Sequence, residues 1–371
     1  MKAWLFFTAF LLIYSALTFY LGWNIWVWLQ SWTDIHSPLL FSAAVTLSAF
    51  GYMLGRMHRV LAFLKIIGVY WMILFQYGLL LFPAAGLIVL ILGLFGFSPE
   101  HTVFWTGAAA AFTLAVIFTV GTYQAYIPVT RHYTISIPKD GGTFDRIRIG
   151  AASDMHFGTL SGIGHLKRLR TELNKLKPDL IVFPGDIIDD SPDVFQKRNM
   201  GAVMKEITAP LGVYGILGNH EYYGRKKEEI IEEMQTSGVT MLLDEHVLAG
   251  NSIYLAGRRD RTEKDRLSAS EMTSGLHLDK PVILLDHQPY ELDKAREAGA
   301  DLMISGHTHR GQMWPNNWIT QKMYENDWGY LKKGTLHSIV SSGFGFWGPP
   351  LRIGSRSEVV CIDITFTGKN A

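Results

Sequence analysis

The sequence predicts an α/β protein in two parts, an N-terminal segment of about four transmembrane helices followed by an α/β/β/α sandwich. Three observations carry that expectation. The first third of the chain is apolar and almost uncharged, whereas every acidic residue except Asp34 and Glu100 lies beyond Arg131. After Arg131, short apolar runs alternate with segments of helical period, as layered α/β folds require. Five of those runs end in Asp, Asn or His, which gathers polar groups at the carboxyl ends of core strands, where open α/β sheets keep their ligand sites.

The chain has 371 residues, room for two or three domains of roughly 150 residues each. A net charge of +1 lacks the basic excess of a nucleic-acid footprint, so no nucleic-acid partner is expected. Cys361 is the single cysteine, which excludes an internal disulfide and a cysteine-based metal site.

Residues 3–21 are uncharged and long enough to cross a hydrocarbon core of ~30 Å. They lack a small-residue cleavage site, and three further spans follow, so they read as an anchor rather than a cleaved signal. The second span covers 39–54 and the fourth 102–123. Between them, 66–97 carries no charge at all; as one helix it is over-long, and Pro83 supplies a reason for it to kink. Lys2, Arg56, Arg59 and Lys65 fall on one side of this arrangement, while the loops holding Asp34 and Glu100 contain no Lys or Arg. With four spans, the positive-inside rule places the remainder of the chain in the cytoplasm. No ionisable residue lies at mid-membrane depth, which favours an anchor in the cell membrane over a transport path. The expected division is a transmembrane anchor over 1–128 and a second domain over 129–371.

In that second domain, 133–138 alternates like a strand, and the KDGG turn leads into 144–150, a pattern that predicts a hairpin. HLKRLRTELNKLK (165–177) spaces its leucines helically, and Pro178 ends it before the strand of 180–183, a βαβ unit with parallel strands. Helices are also expected at 193–207, 225–235 and 291–297. Strands are expected at 212–217, 239–243, 253–257, 282–285, 301–305, 339–342 and 359–364.

The run DLIVFPGD sets the pattern for the site. Leu180 to Phe183 suit a strand buried on both faces, and Pro184 and Gly185 stop it so that Asp186 is delivered at its end. Asp154 and His156 end a second run, Asn219 and His220 a third, Asp286 and His287 a fourth, His307 and His309 a fifth. The i, i+2 spacing of Asp154 with His156, and of His307 with His309, lets each pair face one side of extended chain. A lone strand-end histidine is commonly a hydrogen-bonded structural residue. Seven donors behind five core strands point instead to one metal site, and imidazole favours Mn, Fe or Zn over Ca or Mg.

The ordered blocks D-M-H, G-D-I-I-D, G-N-H-E, D-H-Q-P and G-H-T-H cover about the last two-thirds of the chain and resemble the calcineurin-like metallophosphoesterase superfamily. The S-G-H-T-H-R-G-Q context and the S-S-G-F-G-F-W-G-P-P segment look like its membrane-associated branch, similar to YkuE/YaeI-type phosphodiesterases. Arg310 departs from that branch, which often has glycine there. The Asp-Arg of phosphoprotein phosphatases is also missing, since Asp190 follows Asp189, and this disfavours a phosphoserine phosphatase. The resemblance implies two divalent metal ions bridged by Asp186, one held also by Asp154, His156 and His309, the other by Asn219, His287 and His307. Two cations ~3.5–4 Å apart acidify water and clamp a phosphate for in-line attack. His220 would face the phosphate and, with Asp186 and Asn219, make up the catalytic set. Asp189 and Glu221 are expected to support the site, and Asp286 either orients His287 or lies in a solvent-facing turn. His165, His246, His277 and His337 lack motif context.

The expected partner is a phosphorylated small molecule or lipid. Trp314, Trp318, Trp328, Tyr330, Phe344, Phe346 and Trp347 form either an apolar rim for a lipid or ordinary core packing. Relatives of the branch include enzymes acting on UDP-diacylglucosamine, which makes that glycolipid, and lipid metabolism, a concrete expectation. The competing reading is a catalytically silent metal-binding scaffold or sensor for a phosphorylated ligand.

Overall fold

The computed structural model describes residues 2–368; the side chains of Lys2 and Arg59, part of the basic asymmetry, fall outside the description. The chain forms two compact units that divide between Val120 and Gly121.

The first unit is built from α1 (Lys2–Gln30), α2 (Pro38–Met57), α3 (Ala62–Leu94) and most of α4 (Pro99–Tyr126). All four are long and apolar enough to cross a membrane. Pro83 lies inside α3, which runs as one 33-residue helix, so 66–97 is not two spans. Their outward side chains, such as Phe6, Phe10, Leu87 and Leu90, are exposed and apolar, the inverse of a water-soluble helix. Small residues let α2 and α3 approach: a Cβ on Gly68 would lie 2.1 Å from the Tyr52 nitrogen.

The second unit holds β1 (Val129–Ile137), β2 (Arg146–Ala151), β3 (Leu180–Pro184), β4 (Val213–Ile216), β5 (Thr240–Met241) and β6 (Glu245–Ala249). It continues with β7 (Ile253–Gly257), β8 (Val282–Leu285), β9 (Leu302–Ser305), β10 (Gly329–Lys333), β11 (Leu336–Val340) and β12 (Glu358–Phe366). These make two six-stranded sheets, β1-β12-β2-β3-β4-β5 and β10-β11-β9-β8-β7-β6. Alternation along each strand fixes the layers. Leu180 and Val182 of β3 enter the same core as Ile283 and Leu285 of β8 and Ile304 of β9, so the sheets face each other. Ile181 and Phe183 point the other way, onto Leu166, Leu169 and Leu173 of α5 (Ile163–Leu176). Leu284 and Met303 likewise meet Leu292 and Ala295 on the far side of the second sheet. The architecture is the α/β/β/α sandwich that the sequence predicts.

The predicted hairpin does not form. β12 lies between β1 and β2, parallel to the first and antiparallel to the second. Its residues are buried almost throughout and need a neighbour on each edge, and the 138–145 link steps across it, a span of roughly 10 Å at two inter-strand spacings. The helix expected over 193–207 is two short helices, Asp193–Lys197 and Met200–Met204, broken where Asn199 takes φ 49°. Elements not expected include β6, β10 and the short helices His220–Tyr223, Ala269–Thr273 and Asn317–Met323.

Candidate metal centre

β2, β3 and β4 are parallel neighbours, as are β7, β8 and β9, so their carboxyl ends align at one edge of the sandwich. Just beyond those ends the backbone turns sharply, and the donors sit in the turns. Asp154, His156, Asp186, His307 and His309 have φ of 51°, 45°, 51°, 73° and 48°. Left-handed backbone costs a non-glycine residue of order 1–3 kcal/mol, and its concentration here marks a functional site. Two glycines make room for the packing. A Cβ on Gly218 would lie 2.2 Å from an Asp186 carboxylate oxygen, and one on Gly306 2.2 Å from Asp154 Oδ2.

All eight sequence-predicted residues meet at this edge. Asp154, His156 and His309 form one cluster, with 3.1 Å between the two Nε2 atoms and 3.5 Å from His309 Nε2 to Asp154 Oδ1. Asp186, His287 and His307 form a second. Asn219 joins it, its Oδ1 lying 2.8 Å from His307 Nδ1 and 3.2 Å from His287 Nε2. Asp186 reaches from the second towards the first, with Oδ2 at 3.2 Å from His287 Nε2 and 3.7 Å from His156 Nε2, and groups with His156 and His220 as well. The other Asp186 oxygen accepts from the His220 backbone N–H at 2.9 Å. His287 Nδ1 lies 2.8 Å from the Pro184 carbonyl, an acceptor, so that nitrogen carries a proton and Nε2 is the atom turned inward to the centre.

This donor set fits divalent cations. Burial pushes His156 down to about 3, His307 to about 4 and His309 well below its ordinary value, so these rings are neutral and can ligate. Burial alone would raise Asp186, but His287 and the other nearby imidazoles outweigh it and keep the carboxylate ionised. His220 behaves differently. Burial opposes its charge, yet the hydrogen bond from Nδ1 to Asp190 at 3.1 Å, helped by the charges of Asp186, Asp189 and Asp190, lifts it to about 9. His287 is lifted as well: burial opposes its charge, but the Asp186 carboxylate beside it holds it well above its ordinary value.

Supporting residues divide into those legible from sequence and those not. Glu221 is fully buried and accepts from the backbone N–H groups of Asp186, Ile187, Ile188 and Gly218, tying the β3 and β4 turns together. Asp286 neither orients His287 nor lies in a solvent-facing turn. It is fully buried and binds Arg258 at 2.7 Å and Arg266 at 3.1 Å. Sequence reading missed Asp190, the partner of His220, and Arg352, which is fully buried, lies 3.2 Å from His309 Nδ1 and donates to the Gly343 and Gly345 carbonyls. The Arg258 signal was present. β7 and β8 pair with Gly257 opposite Leu285, so the next residues, Arg258 and Asp286, had to be neighbours. Arg310 stacks on Trp328, 3.9 Å from the ring centre. The aromatic stretch splits in two: Phe344 and Phe346 are core, whereas Trp314, Trp318, Tyr330 and Trp347 are exposed.

Residues 147–311 match the calcineurin-like phosphoesterase family. An uncharacterized metallophosphoesterase of Aquifex aeolicus is 32% identical over 66% of this chain and 95% of its own length. The Bacillus subtilis metallophosphoesterase YkuE is 28% identical over 70% of the chain and 94% of its own. A Danio rerio transmembrane protein with metallophosphoesterase domain is 30% identical over 62% of the chain. The chain spans 55% of that protein and 59% of a Campylobacter jejuni relative, a little over half of each. A sandwich with these blocks at its strand ends, matched along nearly the whole of the Aquifex protein, defines the class: the chain belongs to the calcineurin-like metallophosphoesterases.

Proposed function

We propose that the chain is a membrane-anchored phosphohydrolase that uses two divalent metal ions to direct water at a phosphodiester, phosphomonoester or pyrophosphate bond. The observation that carries this reading is the position of Asp186, which groups with His287 and His307 on one side and with His156 and His220 on the other. Asp154, His156 and His309 would hold one ion, Asn219, His287 and His307 the other, and Asp186 both. When bound, such ions supply Lewis acidity, neutralising phosphoryl charge and acidifying water. The residues supply the rest. Asn219 offers an amide oxygen without adding charge, and Asp186 orients the His220 backbone through Oδ1. His220, held by Asp190, is placed to stabilise the transferring phosphate and to give its proton to the leaving oxygen.

A phosphoester carried by a lipid or glycolipid, UDP-diacylglucosamine among them, is the substrate class supported by the apolar helices and the exposed tryptophans. The cytoplasmic side is supported by Arg56 in the last turn of α2 and Lys65 in the first turn of α3, against the loops after α1 and α3, which hold no Lys or Arg. The identity of the ions follows the donors, Mn, Fe or Zn.

The test is hydrolysis of bis-p-nitrophenyl phosphate by the purified full chain with and without Mn²⁺, beside Asp186→Ala and with bound metal measured. Metal-dependent turnover abolished by Asp186→Ala is expected. Bound metal without turnover on this or lipid-linked phosphoesters would favour the silent scaffold or sensor instead. His220→Ala should lower turnover roughly 10²–10⁴-fold with metal content nearly unchanged.

A further inference from the structure

We propose that Trp314, Trp318, Ile319, Met323 and Trp347 form a lipid-docking face, seated in the headgroup–acyl boundary of the bilayer beside the mouth of the metal centre. Trp318, Ile319 and Met323, all on the helix Asn317–Met323, are 56%, 58% and 57% exposed, and Trp347 is 53% exposed. Trp314 packs edge-on against Trp318 with ring centres 5.4 Å apart. The helix buries none of its residues, and Lys322 stands in its last turn. Large apolar side chains grouped on a surface mark a contact site, and tryptophan with a flanking lysine is the composition of an interfacial helix.

The occupant is identified by what the same loops hold. Residues 346–357 clamp the end of α4. The Arg352 N–H donates to the Gly121 carbonyl at 3.0 Å and the Ser357 N–H to that of Gln124 at 3.0 Å. Phe346 packs on Tyr126 and Arg356 lies over Tyr123. That segment is also zipped to the patch. The Gln312 side chain donates to the Trp347 carbonyl at 2.9 Å and accepts from its N–H at 2.8 Å, and the Trp314 N–H donates to Ile353 at 2.7 Å. A continuous set of hydrogen bonds therefore runs from the exit of a membrane-spanning helix to the exposed tryptophans. At the other end, the Trp347 ring lies 6.3 Å from that of His220. A soluble protein could also cover such a face, but the bilayer is the one apolar partner that α4 itself brings alongside. The proposal rests on reading the four helices as membrane spans and does not depend on catalysis.

The experiment uses the full chain in phosphatidylcholine–phosphatidylglycerol nanodiscs, with a nitroxide placed in turn at Trp318→Cys, Met323→Cys, Phe112→Cys and Glu232→Cys. Cys361 is buried. Relaxation by dissolved oxygen is compared with relaxation by a water-soluble nickel chelate. The expected result is strong shielding from nickel at 112 and several-fold lower nickel access at 318 and 323 than at 232. Shielding at 112 with full nickel access at both 318 and 323 would overturn the docking face and leave the anchor intact. Nickel access at 112 would overturn the span reading and the docking face with it.

Discussion

The first sheet brings Asp154, Asp186 and Asn219 to the centre together with His156 and His220, whereas the second brings only the imidazoles of His287, His307 and His309. Among the buried carboxylates outside the proposed ligand set, Glu221 and Asp286 are satisfied by opposite means. Glu221, on the first sheet's side, is held by backbone N–H dipoles alone. Asp286, on the second, is held by two guanidinium groups. The comparison teaches where charge is allowed. The sheet that delivers anionic donors anchors its turns with backbone dipoles, and the sheet that delivers only imidazoles cancels the charge of Asp286 beside the strand end. Negative charge at the centre is thereby confined to Asp154 and Asp186 among the proposed ligands.

Removing the anchors should break the two sides unequally. Asp286→Ala leaves Arg258, 3% exposed, with only the longer 3.5 Å contact to Glu291 and should cost about 3–5 kcal/mol, read as a large drop in thermal midpoint. An effect near zero would mean that the second sheet is not held by charge. Acid should find the first sheet's side. His165 on α5 is buried against Phe344 and Tyr126, and burial lowers its pKa to about 4. The folded state thus favours the neutral ring while the unfolded chain titrates near 6.5. That stability is complete above pH 6.5 and falls as pH drops towards 4, by about 3 kcal/mol in all. Melting in detergent across that window should be less pH-dependent in His165→Gln than in the parent; an identical slope would remove His165 from the account.

Glu221→Gln tests the dipole anchor. Oε1 accepts from Ile187 and Ile188 and Oε2 from Asp186 and Gly218, so an amide group would turn N–H against N–H at one of these pairs. A loss of about 1–3 kcal/mol is expected, with impaired metal retention because Asp186 moves with its turn. The smallest effect belongs to Asp190→Asn, which should lower turnover roughly 10-fold through misorientation of His220 while leaving bound metal unchanged. Loss of metal in that variant would assign Asp190 to ion binding instead.

Much of this arrangement was legible because buried strands announce themselves. Leu180 to Phe183, Val282 to Leu285 and Leu302 to Ile304 are continuous apolar runs, and a polar residue after such a run has few places to go. Partnerships between distant segments were less visible. The KDGG turn favoured a hairpin locally, but the insertion of Glu358–Phe366 is a tertiary choice that no local pattern encodes. β6 and β10 alternate with exposed residues at sheet edges, where periodicity is weak evidence. Asp190 carries no local signal of its role because its partner, His220, arrives from another strand.

The left-handed turns at Asp154, His156, Asp186, His307 and His309 carry a consequence for how such a chain can change over generations. Asparagine or glycine would relax each of these positions, so selection for foldability alone drifts towards erasing the donors. A lineage that kept the sandwich after losing its chemistry should therefore show small, flexible residues at these five places first, well before its core strands diverge. The backbone itself becomes a record of whether the centre is still in use.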